Sequence, residues 1–208
     1  MRMLQSEPNL ASPLPQNNEP QPLQAQWVFG YGSLMWNPEF LFSESSLARV
    51  HGYHRSFCIQ STLYRGTPQQ PGVVLGLDRG GSVDGLAFKI AEGHELEAVR
   101  RLYVREMVGN IYNPKVLTVR LRDGREVQAL TFVANRGNSS YQTLSECEIV
   151  ARLSRCEGQR GPNCDYAINT HALLKELGVR DLRLQKLVDR LKSLPPTQPK
   201  QAVGLSAV

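Results

Sequence analysis

The chain has 208 residues, 41% of them hydrophobic and 21% charged, with 24 basic and 19 acidic side chains and a net charge of +5. That length suits one domain with appendages rather than two full catalytic domains. The composition excludes a wholly disordered chain, and no apolar run approaches the roughly 18 residues of a helical membrane span. The surplus charge sits poorly for nucleic-acid binding. Residues 27–170 carry sixteen basic and fourteen acidic groups, and the excess falls on residues 171–208, with seven against three, where a solvated helix face is the plainer explanation. Cys58, Cys147, Cys156 and Cys164 form no C-x-x-C pair and have no histidines at zinc-finger spacing, so a metal held by thiolates is not expected. The N-terminus lacks the charged-then-apolar pattern of a secretory signal, which leads us to expect a cytoplasmic location with reduced thiols.

Residues 1–26, with five Pro and five Gln, have too little apolar surface to offset ordering entropy and read as a disordered tail. Folded sequence is expected from Trp27 to Leu194, with residues 195–208 a second flexible tail. Short β-type runs follow: Trp27 to Phe29, Val50 to Gln60, Val73 to Leu77, Leu86 to Ile90, Val116 to Leu121 and Val127 to Val133. Gly80-Gly81 and Asp123-Gly124 stand where tight hairpins would join neighbouring runs. Between the fourth and fifth runs, Leu96, Val99, Leu102, Tyr103 and Met107 recur at helical spacing and predict a helix from Glu92 to about Val108, with Arg100, Arg101 and Arg105 on other faces. Beyond Val133 the pattern is helical. Thr143 and Glu146 match a capping box, Asn163 is a candidate N-cap for a helix stopping near Gly178, and a last helix runs from about Asp181 to Leu194, where Pro195-Pro196 ends it. Strands first and helices later predict an α+β fold, a small mixed β-barrel or curled sheet flanked by helices.

Two features stand out chemically. Gly30-Tyr31-Gly32-Ser33-Leu34 follows the first strand directly, and such a loop either turns its N–H groups into a concavity for a carboxylate or oxyanion, or is a simple tight turn. It is no dinucleotide loop, because Met35 stands where the third glycine would be. The second feature is Glu106. On a helix it lies about 20° from Val99 and about 40° from Leu102, whereas Arg105 is about 100° away. A carboxylate on an apolar stripe has its pKa raised, which suits a general base near neutral pH; the alternative is a half-exposed acid at a helix end, paired with an arginine. His51 and His54 alternate in a strand region with no third ligand in view, and Ser33 lacks the setting of a nucleophile elbow and is expected to donate a hydrogen bond.

Trp27-Val-Phe-Gly-Tyr-Gly-Ser-Leu-Met-Trp36 resembles the N-terminal signature of the ChaC family of glutathione-specific γ-glutamylcyclotransferases. Gly52 to Phe57, Arg65 to Pro68, Pro71-Gly72, Gly85 to Phe88, Arg105-Glu106-Met107, Gly161 to Asn163 and Tyr166 follow in that family's order, so the resemblance spans about Trp27 to Leu191. It implies a cyclotransferase-type fold and a small-molecule substrate, glutathione, converted to 5-oxoproline and Cys-Gly without metal or cofactor. It also implies that Tyr31, Gly32, Ser33 and Leu34 hold the γ-glutamyl group through main-chain atoms, that Val28, Phe29 and Gly30 lead into that cradle, that Glu106 is the catalytic acid–base, and that Arg65 and Tyr166 line the pocket. Neither a nucleic acid nor a membrane is expected as partner. The alternatives are another γ-glutamyl amine or amino acid as substrate, or a non-catalytic regulator that senses a ligand.

Overall fold

The computed structural model describes residues 25–195; the two tails, apart from Ala25, Gln26 and Pro195, lie outside the described residues. Strand β1 (Trp27–Gly30) is buried on both faces, which is why its sequence is unbroken apolar. Val28 enters a core shared with Ala98, Val99 and Leu102, whereas Phe29 enters the opposite core with Val50, Val73 and Leu153. Two long strands, β2 (Phe42–Ser61) and β3 (Gly72–Ile90), pair antiparallel along nearly their whole length. Strands β4 (Tyr112–Leu121) and β5 (Glu126–Ala134) form the hairpin expected at Asp123-Gly124. β5 returns parallel to β1, giving a closed barrel in the order β1-β3-β2-β4-β5.

One expected turn is absent. Val73 to Leu77 and Leu86 to Ile90 belong to the single strand β3, and Gly80-Gly81 does not end it. The register passes from His51↔Ser82 to Tyr53↔Arg79, so one residue of β2 opposes two of β3. Gly80 and Gly81 have φ of 99° and 75° there. The positive φ anticipated from the dipeptide is present, but it makes a bulge that bends the β2–β3 ladder rather than a hairpin. The first half of β2 escaped the sequence pattern because Ser43 to Ser46 are all polar, alternating between exposed and half-buried.

Helix α1 (Glu95–Glu106) starts later than expected, with Glu95 and Glu97 in its first turn and Arg105 in its last, in keeping with the helix dipole. Leu96 faces solvent at 59% exposure, and Ala98 takes its expected place in the core with Val99 and Leu102. Helix α2 (Glu146–Arg155) does open with a capping box, but Ser145 and Glu148 form it, two residues beyond the Thr143 and Glu146 read from sequence. A two-residue hairpin, β6 (Glu157–Gly158) and β7 (Gly161–Pro162), leads into α3 (Asn163–Glu176). Asn163 is the first residue of that helix rather than its cap. Its buried amide accepts from Val73 N at 2.7 Å and donates to Val73 O at 2.8 Å, standing in for a strand neighbour. Helix α4 (Leu182–Ser193), capped by Asp181, packs Leu184, Leu187 and Val188 inward, and its Arg190 pairs with Glu146 of α2. Among the described residues no helix is long and apolar enough to cross a membrane.

Candidate active site

The turn after β1 and the end of α1 meet through one side chain. Residues Ser33–Met35 form a single 3-10 turn. Glu106 is the last residue of α1, and its neighbour Arg105, only 6% exposed, reaches from the helix to the turn. The Arg105 guanidinium donates to Asn37 O at 2.6 Å and to Ser33 Oγ at 2.8 Å, and lies 3.3 Å from Glu39 Oε1 and 2.9 Å from Glu106 Oε1. Sequence phase placed Arg105 on another face of the helix, and it missed this residue. Only the Arg-Glu adjacency at a helix end hinted that an acid on the apolar stripe would bring a partner. Ser33 Oγ accepts this bond, and its own O–H stays a donor.

Glu106 keeps 16% of its side chain exposed. Burial pushes its pKa up, and the charges of Arg105 and Arg160 offset that only in part. Both sequence readings of this acid thus hold a share: it ends a helix beside an arginine, and it is sheltered.

Glu106 opens on a cavity of about 360 Å³ whose wall includes Ser33, Trp36, Arg65, Arg105, Tyr112, Arg160 and Tyr166. Of the residues singled out from sequence, Ser33, Arg65, Glu106 and Tyr166 are therefore brought together. Val28 and Phe29 are fully buried, and Tyr31 and Leu34 lie in the core. With Gly30 and Gly32 they support the turn from behind rather than face the cavity. Tyr31 Oη donates to Phe132 O at 2.7 Å, and Tyr31 O accepts from Arg55 Nε, so the loop is fastened at both ends of that residue. Gly32 owes its identity to close approach: a Cβ there would stand 2.7 Å from Tyr166 Oη.

Tyr166 packs edge-on to Trp36 and Phe57. Its hydroxyl accepts from Leu75 N at 3.4 Å, and Tyr112 Oη donates to Leu75 O at 2.8 Å. Burial raises the pKa of both phenols, which keeps them neutral donors. Arg65 donates to Pro162 O at 2.9 Å and lies 5.7 Å from the Tyr166 ring centroid. Tyr112 and Arg160 had no signal in the sequence: one is the first residue of an ordinary alternating strand, the other sits in a tight hairpin.

Of the thiols, Cys58 and Cys156 are buried and Cys147 is exposed, and burial pushes the Cys58 thiol up to about 12. Among the described residues no group of three or more His, Cys, Asp or Glu could hold a metal ion. His54 is instead 3.1 Å from Gly80 O.

A closed barrel bearing a sheltered carboxylate, neutral phenols and arginines around one side cavity defines a site for acid–base chemistry on a small polar ligand. Comparison with known proteins agrees with that architecture. The family model described as ChaC-like protein matches residues 26–194. Similar sequences include a glutathione-specific gamma-glutamylcyclotransferase of Escherichia coli, 36% identical over 81% of this chain and 73% of that protein. Another is a glutathione-specific gamma-glutamylcyclotransferase 1 of Mus musculus, 33% identical over 96% and 95%. A crystal structure of a yeast gamma-glutamyl cyclotransferase specific to glutathione shares the fold, with a TM-score of 0.74 at 21% identity over 80% of this chain and 95% of that one. The chain belongs to the ChaC-like family.

Proposed function

We propose that this protein degrades reduced glutathione by intramolecular cyclisation, releasing 5-oxoproline and Cys-Gly, with Glu106 as the group that moves the proton. The observation carrying the proposal is the join of a sheltered Glu106, through Arg105, to the Ser33 turn on one cavity wall. The names of the family's curated members point to the same reaction.

In this reading the α-amine of the glutamyl group attacks its own γ-carbonyl. An α-amine has a pKa of about 8 or above and is protonated at neutral pH, so it cannot attack until a base takes its proton. Glu106 receives that proton, and the ring bond forms to give a tetrahedral intermediate. The carboxyl passes the proton to the departing amide nitrogen and then takes the second proton from the ring nitrogen, so that the C–N bond to cysteine breaks to leave a neutral lactam N–H and Cys-Gly departs with its amine protonated. A carboxylate whose pKa is raised accepts a proton more readily while ionised and releases it as a stronger match to an amine, help worth about 100- to 10,000-fold. Attacker and target lie in one molecule, so holding the chain folded contributes up to roughly 7–11 kcal/mol. Ser33 is placed for this, since the first N–H groups of a helical turn have no acceptor within it. Tyr166 Oη, which receives the Leu75 amide, keeps its own proton for the developing oxyanion.

The test is a direct comparison of reduced glutathione with γ-glutamyl-alanine using purified protein. Release of Cys-Gly with 5-oxoproline, and at least tenfold slower turnover of γ-glutamyl-alanine, is the expected outcome. Preference for γ-glutamyl-alanine would reassign the substrate.

A further inference from the structure

Three arginines line the cavity, and two of them are already engaged. Arg105 is divided among Asn37, Ser33, Glu39 and Glu106, and Arg65 donates to Pro162 O and lies over Tyr166. Arg160 differs. Its nearest acid is Glu39 at 3.8 Å, beyond hydrogen-bond reach, and no hydrogen bond from its guanidinium to another described residue is present. Its base is nevertheless fixed. Arg160 N donates to Tyr64 O at 2.9 Å, Gln159 N donates to Leu63 O at 2.9 Å, and the guanidinium stacks on the Tyr64 ring with its centre 4.3 Å from the centroid. Gly158 lies so close to the same rim that a Cβ there would stand 2.5 Å from Tyr64 C. The β6–β7 hairpin thus holds a cation with spare donors at the mouth of the cavity, 38% exposed against 16% for Glu106 further in.

Charge gives this cation a use. Arg65, Arg105 and Arg160 are set against Glu106 in the cavity wall and Glu39 beside it, leaving one positive charge in excess. Glutathione carries two carboxylates and one ammonium at neutral pH. With its ammonium end at Glu106, as the proposed reaction requires, its other end points to the mouth. We infer that Arg160 is a specificity-determining residue that binds the glycyl carboxylate of glutathione through the guanidinium N–H groups that make no hydrogen bond within the described residues. This rests on the glutathione reading above, and it predicts that a γ-glutamyl amino acid, which lacks the glycyl carboxylate, is bound more weakly. A planar, stacked guanidinium suits the task because it keeps its fork aimed without losing side-chain freedom on binding.

The test pairs glutathione with its glycyl monoethyl ester, in the parent protein and in Arg160→Met, and adds glutathione titrations in a Glu106→Gln background. The parent should have a KM about tenfold or more higher for the ester. Measured at a pH above the acid limb, because the Arg160 charge also lowers the Glu106 pKa, Arg160→Met should raise the KM for glutathione by a similar factor with kcat within about threefold, while moving the KM for the ester less than threefold. In the Glu106→Gln background, adding Arg160→Met should weaken glutathione binding by the same factor. Equal losses on both substrates, or a parent that does not distinguish them, would overturn the assignment. Binding that depends on Arg160 in a protein without turnover would keep the assignment and sink the reaction instead.

Discussion

Glu106 and Arg105 are adjacent in sequence and act as one unit in space. Burial raises the Glu106 pKa, so the folded protein holds this proton more tightly than the unfolded chain does. The ionised acid therefore costs stability at neutral pH, and that cost is lost as pH falls through the folded value. Activity runs the other way, because the base is competent only above it, so kcat/KM, which reports the free protein, should fall on an acid limb lying above the ordinary glutamate range. Arg105 works against the raised value. In Arg105→Met the acid limb should move to higher pH, while Ser33 and Asn37 lose their donor and the turn loosens. A pH–rate profile checks this. An unmoved limb with merely lower activity would reduce Arg105 to a structural brace.

At the scale of elements, two glycine positions make contrary demands. Gly32 is set by space: an alanine there would drive the Tyr166 hydroxyl from its place 2.7 Å away. Gly32→Ala should weaken glutathione turnover about tenfold or more, and Tyr166→Phe, which removes the obstructing oxygen, should recover the lost thermal stability but not the activity. If the double variant melts no higher than Gly32→Ala, the clash is not the cause. Gly80 and Gly81 are set by backbone conformation, with nothing within 4 Å of a Cβ at Gly80. Gly80→Ala should cost about 1–2 kcal/mol in denaturant unfolding, the penalty of a left-handed residue, and leave the KM alone. The same pair shows where sequence reading stopped short. The dipeptide revealed the positive φ, yet a bulge and a hairpin use it alike, and only the cross-strand partners His51 and Tyr53 distinguish them. The shift of the capping box to Ser145 is a similar case, since Thr143 and Ser145 each have an acid three residues on.

The whole molecule collects its site from distant parts of the chain. Ser33 comes from the turn after β1, Arg65 from the β2–β3 connection, Glu106 from α1, Tyr112 from β4, Arg160 from the β6–β7 hairpin and Tyr166 from α3. The α+β barrel with flanking helices was legible in the order of periodicities, and Glu106 in its place on the apolar stripe. The cavity was not, because its wall is assembled from the β2–β3 connection, the end of α1, the start of β4, the β6–β7 hairpin and α3, whose meeting has no local signature. The same assembly makes Glu106 the most direct point of test. Purified parent protein and Glu106→Gln, incubated with reduced glutathione without added metal, should differ by about 100-fold or more in turnover, with the parent yielding equal amounts of 5-oxoproline and Cys-Gly. Free glutamate in place of 5-oxoproline, or Glu106→Gln activity within tenfold of the parent, would contradict cyclisation driven by this acid.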